Sequence, residues 1–164
     1  MSGLARSPLE VLASSFTGAF EGRGFEGLCT PDVHYEDPIA VEPLAGPAAL
    51  DDHALLLRRA IPDLSIERIS SALGDGSHAC VPWRLTGRHD GELEVLPATG
   101  RELSLHGLHY LELSDGAVRR ARGFFDLYDA ATQLGLLPER GGLGETALLL
   151  LRGFGMRRRG SEDG

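Results

Sequence analysis

From Leu9 onward apolar residues recur three or four positions apart, at Leu12, Phe16 and Phe20, the spacing that sets side chains on one face of an α-helix. Ser7 and Pro8 supply the start, an N-cap oxygen followed by a residue whose fixed φ suits the first helical position. Gly22, Gly24 and Gly27 break the pattern, and a short helical turn over residues 25–29 leads to a short strand at 32–37, closed by Asp37 before Pro38. Residues 38–46 read as loop. Leu50, Ala54, Leu57 and Ile61 then mark one face of a second helix over Pro47–Ala60, stopped by Ile61, Pro62 and Asp63.

Beyond that stop the period shortens to two. Residues 64–73, 78–89, 101–113 and 117–126 read as strands, separated by Gly74-Asp75-Gly76, by a glycine-bounded stretch at 87–100 and by Asp115-Gly116. Such connections leave no room for crossover helices, so the strands run antiparallel. Helices early and strands late make the fold class α+β, with the helices packed on one face of a curved antiparallel sheet. A short helix from Leu127 carries Gln133, Leu134 and Gly135, and glycines at 141, 142 and 144 lead to a last segment at 145–159.

Strand alternation assigns faces. In the third strand Leu103, Leu105, Gly107, His109, Leu111 and Leu113 share one face, on which His109 is the one titratable group; it reads as a core histidine or as a pocket residue. The second strand ends the row Ala79, Val81, Trp83, Leu85 and Gly87 on His89, with Trp83 as pocket wall or core. The last strand places Val118, Arg120, Arg122, Phe124 and Asp126 together. A carboxylate on an apolar concave face has its pKa raised by desolvation, as a general acid/base near neutrality requires, so Asp126 is a candidate catalyst; it is equally placed to cap the helix from Leu127.

Composition narrows the chemistry. The 164 residues favour one domain, and no apolar run approaches the roughly 20 residues of a membrane-crossing helix. A net charge of -8 is the wrong sign for a nucleic-acid partner, and the one basic cluster, Arg157 to Arg159, lies in an acidic tail. The chain contains neither Lys nor Asn, which excludes Schiff-base lysines, a phosphate-loop lysine and a Cys-His-Asn protease. Cys29 and Cys80 lack metal or disulfide spacing, and His106 and His109 point to opposite faces of a strand, so no metal site is expected. No secretion-type apolar stretch follows the N-terminus, and a cytoplasmic location is the expectation.

The segments at 60–65 (Ala-Ile-Pro-Asp-Leu-Ser), 87–92 (Gly-Arg-His-Asp-Gly-Glu), 96–103 (Leu-Pro-Ala-Thr-Gly-Arg-Glu-Leu), 107–109 (Gly-Leu-His) and 115–118 (Asp-Gly-Ala-Val), with Asp126 and then 133–138 (Gln-Leu-Gly-Leu-Leu-Pro), come in an order and spacing that resembles the SnoaL-like polyketide cyclases, or ester cyclases. The likeness covers about residues 8 to 138. It implies a cone-shaped α+β domain over 1–138, of the kind shared with nuclear transport factor 2 and ketosteroid isomerase, with an extension at 139–164 whose Leu148 to Leu151 would cover the cone or meet another subunit. It implies a homodimer and a cofactor-independent, aldol-type ring closure on a polyketide-derived small molecule, with Asp126 as acid/base and His109 as a donor orienting a substrate oxygen. His89 would hold its loop or touch substrate, and His34, Tyr35 and Asp37 would form the pocket rim. Arg122 stands where such sequences most often hold Trp; on a concave face it would bind an anionic ligand or pair with Asp126.

Two other functions stay open on the same fold. One is an epoxide-opening or cyclic-ether-forming enzyme, with Asp37 or Glu36 as a second acid. The other is a small-molecule binding module without chemistry, which a capped or ion-paired Asp126 would favour.

Overall fold

The computed structural model describes residues 7–151, the side chains of 148–150 excepted. Helix α1 (Pro8–Gly18) begins as the sequence predicts, with the Ser7 hydroxyl accepting from the Glu10 N–H at 3.2 Å. It ends in one π-helical turn, Ala19–Arg23, where Gly22 takes φ +99°. That wide turn keeps Phe20 in the core and lets Glu21 accept from the Ile66 N–H at 3.0 Å, tying the helix to the sheet. Strand β1 (Cys29–Glu36) follows, starting three residues earlier than the alternation suggests; residues 25–28 form only a turn. A two-residue β2 (Leu44–Ala45) leads to α2 (Pro47–Ala60), which buries Leu50, His53, Ala54, Leu57 and Ala60 along one stripe.

The remaining strands are β3 (Ser65–Arg68), β4 (Leu73–Gly74), β5 (His78–Arg88), β6 (Glu102–Ser114) and β7 (Ala117–Phe125). The expected single strand at 64–73 is thus two short ones. Arg68 turns back to the Ser70 carbonyl at 3.1 Å and pairs with Glu10 at 2.7 Å, which ends the ladder there. The sheet order is β2-β1-β7-β6-β5-β3, with β4 also on β5. Pairs β5–β6 and β6–β7 are antiparallel, the latter closed by Asp115 and Gly116, both at positive φ. Strand β1 joins the sheet parallel to β7, a pairing of distant segments that local turn signals do not announce. Helices α1 and α2 cover the inner face, where Phe16, Phe20, Phe25, Tyr35, Trp83 and Leu111 form the centre of the core.

One irregularity decides which residues face inward. Leu113 pairs with Val118 while its neighbour Glu112 pairs with Arg120, so Arg119 is an extra residue, a β-bulge. It flips the parity of all that follows: Val118 is buried, but then Ala121 and Gly123 point in, and Arg120, Arg122 and Phe124 point out. The expected common row of Val118, Arg120, Arg122, Phe124 and Asp126 therefore splits at the bulge.

Gly107 shows how tightly the inner face is filled. A Cβ there would lie 2.4 Å from Trp83 Cζ2 and 2.5 Å from the Phe124 carbonyl oxygen. Gly107→Ala should cost about 1–3 kcal/mol of stability, measurable as a lower urea midpoint, because the backbone oxygen cannot yield as a side chain could.

After β7 come α3 (Leu127–Gln133) and α4 (Leu143–Leu151); Leu143 and Leu151 at the ends of α4 are exposed. The rest of the expected last segment, residues 152–159, and the Arg157 to Arg159 cluster lie outside the described residues.

Candidate active site

The inner face holds one polar cluster, assembled from four elements. Tyr35 is the inward residue before the end of β1, Asp37 follows at its exit, His53 lies on the buried stripe of α2, and His109 is on β6. The side chains of His53 and Asp37 are 6% and 4% exposed and meet through a 2.7 Å contact between His53 Nε2 and Asp37 Oδ2. The Tyr35 hydroxyl donates to the same oxygen at 3.0 Å. Asp37 Oδ1 accepts from the N–H groups of Ile39 and Ala40, both at 2.8 Å. Gly123 backs the cluster: a Cβ there would be 2.9 Å from the Tyr35 hydroxyl and 3.1 Å from Asp37 Cβ.

These contacts set the protonation states. Burial pushes the Asp37 carboxyl up, but the His53 hydrogen bond and charge, with the Ala40 and Ile39 N–H groups, outweigh it and hold the group below the usual carboxylate range. An ionised carboxylate only accepts, so His53 Nε2 must carry the proton it shares, and Nδ1 is the nitrogen left to take another. Burial first, and then the charge and hydrogen bond of Asp37, raise the Tyr35 phenol well above its ordinary value, so it stays a donor. Burial among Phe16, Phe20 and Trp83 lowers His109 to about 3, against a small opposing pull from Asp37. His109 is neutral at pH 7.

Residues 39–44 form a strap over this cluster with a cavity on each side. The larger, about 740 Å³, lies between the strap and α2 and is lined by Ile39, Val41, Leu44, Leu56, Arg59 and His53, among others. The smaller, about 310 Å³, has Asp37, Arg122, Gly123 and Phe124 on its walls. Both are of mixed polarity and open to solvent. Among the described residues no three His, Cys, Asp or Glu side chains gather as a metal-ligand group.

The predicted site residues divide. Tyr35, Asp37, His109 and Trp83 come together. His34 is exposed on the outer side of β1, beside β2. His89 holds its loop: Thr99 N–H donates to Nδ1 at 3.2 Å and the Thr99 hydroxyl lies 3.1 Å away. Arg122 is on the outer face, not the concave one, 3.7 Å from Glu36 and over the exposed Phe124 ring at 5.3 Å; it does not pair with Asp126. Asp126, its side chain 51% exposed, caps α3 by accepting from the Asp129 N–H at 2.9 Å and lies 3.3 Å from Arg140. The bulge at Arg119 turns this row outward, which accounts for the place of Arg122, while capping α3 is one of the two roles expected of Asp126. Asp126→Ala should cost about 1 kcal/mol as the loss of a cap and leave turnover within a few-fold, read by denaturation and by product formation.

His53 escaped the sequence reading. The signal was present: it is the one histidine on the apolar stripe of α2, the same pattern that singled out His109 on β6. What spacing could not show is that the stripe faces the exit of β1.

The comparisons agree with this fold. TsrD from Streptomyces laurentii is 25% identical, with 82% of this chain and 99% of that one covered and a TM-score of 0.70. A SnoaL-like protein from Jannaschia sp. CCS1 is also 25% identical, covering 83% and 100% at a TM-score of 0.65. TerC, crystallised with polyporic acid, shares the fold at 17% identity, 79% and 99% coverage and a TM-score of 0.61. No curated protein matches the sequence. The family model of SnoaL-like polyketide cyclases matches residues 15–134, from the end of α1 through α2, the whole sheet and α3, and the chain belongs to that family, whose chemistry is cyclisation or isomerisation of small molecules.

Proposed function

We propose that the protein closes a ring in a polyketide-derived small molecule by intramolecular aldol-type addition, with His53 as the base and Asp37 as the group that orients it. The observation that carries this is the buried 2.7 Å Asp37–His53 contact beside a 740 Å³ cavity that His53 helps to line. A carboxylate on one imidazole nitrogen holds the ring in one tautomer and stabilises the imidazolium that forms when the other nitrogen takes a proton. Here Nδ1 would remove a proton from the carbon next to a carbonyl. The resulting enolate carbon attacks a second carbonyl of the same molecule, one C–C bond forms, and the new alkoxide takes the proton back from Nδ1. No atom is gained or lost, so no cofactor is needed to balance the step.

The epoxide-opening alternative asks Asp37 to act as an acid, and four hydrogen-bond donors that keep it ionised speak against that. The same saturation favours, as a second reading, a binding module in which Asp37 is purely structural. The experiment is a thermal-shift screen of aromatic polyketide esters followed by product analysis. Esters that raise Tm and are converted support the cyclase, whereas esters that raise Tm and are recovered unchanged support the binding module.

A further inference from the structure

Asp37 divides its hydrogen bonds by oxygen. Oδ1 holds backbone, accepting from the Ile39 and Ala40 N–H groups, both at 2.8 Å. Oδ2 holds side chains, His53 Nε2 at 2.7 Å and the Tyr35 hydroxyl at 3.0 Å. The charge that would stabilise His53 as an imidazolium is therefore shared with a second donor. Tyr35 is buried, and burial with the nearby carboxylate keeps its phenol protonated, so the hydroxyl is a fixed donor.

The sheet leaves room for that hydroxyl at one place. Gly123 on β7 stands behind it in an ordinary strand backbone with no positive φ, which alanine could adopt. What excludes a Cβ there is the hydroxyl itself, at 2.9 Å, with Asp37 Cβ at 3.1 Å. The Tyr35 ring is packed against those of Phe20, His53 and His109, with centroids 5.9, 5.8 and 6.2 Å away. A phenylalanine would fill the same space and leave Oδ2 to His53 alone.

We propose that Tyr35 is a positioning residue that sets the strength of His53 as a base by sharing Asp37 Oδ2 with it, and that the missing side chain at Gly123 is what lets the hydroxyl reach. A carboxylate oxygen with one donor stabilises an imidazolium more than the same oxygen with two, because each further hydrogen bond disperses part of its charge. With Tyr35 in place His53 gives its proton up more readily, as return of a proton to the new alkoxide requires. The proposal rests on His53 as base for its purpose, but its first test needs no turnover.

The other ionisable groups around the pair are His109 on β6, neutral at pH 7; Glu42, Asp52, Arg59 and Glu94 on the larger cavity; and Glu36 and Arg122 at the smaller one. Tyr35→Phe and Gly123→Ala leave all of them in place, so a difference from wild type reports the shared oxygen.

The His53 imidazole is followed by ¹H–¹³C NMR across a pH series, its signal identified by its loss in His53→Gln. In Tyr35→Phe its titration midpoint should rise by about half a unit to one unit, and in Gly123→Ala, which pushes the hydroxyl off Oδ2, it should rise as well. The double variant should melt above Gly123→Ala alone, since the hydroxyl and the new Cβ compete for one space. The acid limb of the pH profile for deuterium uptake by an aryl methyl ketone carrying an ester should move up with the midpoint. A midpoint unchanged in both variants would overturn the proposal, whatever stability they lose. A midpoint that rises while the rate profile stays put would support the shared oxygen and overturn His53 as the base.

Discussion

His53→Gln is expected to lower kcat by about a hundredfold or more while KM stays within a few-fold, since positioned proton transfer contributes roughly 10²–10⁴ to such rates. Glutamine is the informative replacement because its amide can still donate to Asp37 Oδ2 as His53 Nε2 does, but has no basic nitrogen. The fold should survive for the same reason: the carboxylate keeps its partner and no charge is stranded. Asp37→Asn turns one of two acceptor oxygens, each shared by two donors, into an amide NH₂, so it should lose both activity and stability, the latter by about 1–3 kcal/mol. A structural role for the pair would give the opposite signature, with stability lost in both variants and activity scaling with the folded fraction.

The second large effect is on acid stability. His109 titrates near 6.5 when unfolded but at about 3 in its buried aromatic box, so between those values the unfolded chain holds a proton the folded protein refuses. Stability therefore rises with pH through this window and is complete above about 6.5. The slope is about 1.4 kcal/mol per pH unit, and the whole window is worth on the order of 5 kcal/mol, a large share of an ordinary domain's stability. Asp37 acts lower down: its pKa is depressed on folding, so its contribution is present above about 3.8 and lost as pH falls through the folded value. Urea midpoints from pH 7 to 4 should fall steeply for the wild type and be nearly flat for His109→Phe. Parallel curves would show that His109 is not the group responsible.

The sequence made the architecture legible because its signals are local. The Ser7-Pro8 start, the stripe from Leu50 to Ile61, the two-residue period from His78 and the Asp115-Gly116 turn each act within a few residues, and each is found where it was expected. The site was half legible. Tyr35, Asp37, Trp83 and His109 follow from alternation and from the family likeness. The outward facing of Arg122 was not legible because one extra residue, Arg119, reverses the facing of everything after it, and nothing in the local pattern marks a bulge; the cap made by Asp126 is one of the two roles expected of it. His53 was missed because its importance lies in a contact 16 residues away across two elements, which periodicity does not encode.

The most direct measurement follows proton abstraction itself. An aryl methyl ketone carrying an ester, incubated in D₂O with wild type, His53→Gln and Asp126→Ala, reports by NMR how fast deuterium enters the carbon beside the carbonyl. The account predicts acceleration by wild type and Asp126→Ala and loss of that acceleration in His53→Gln. Acceleration that survives in His53→Gln and vanishes in Asp126→Ala would contradict it and return the chemistry to the end of β7.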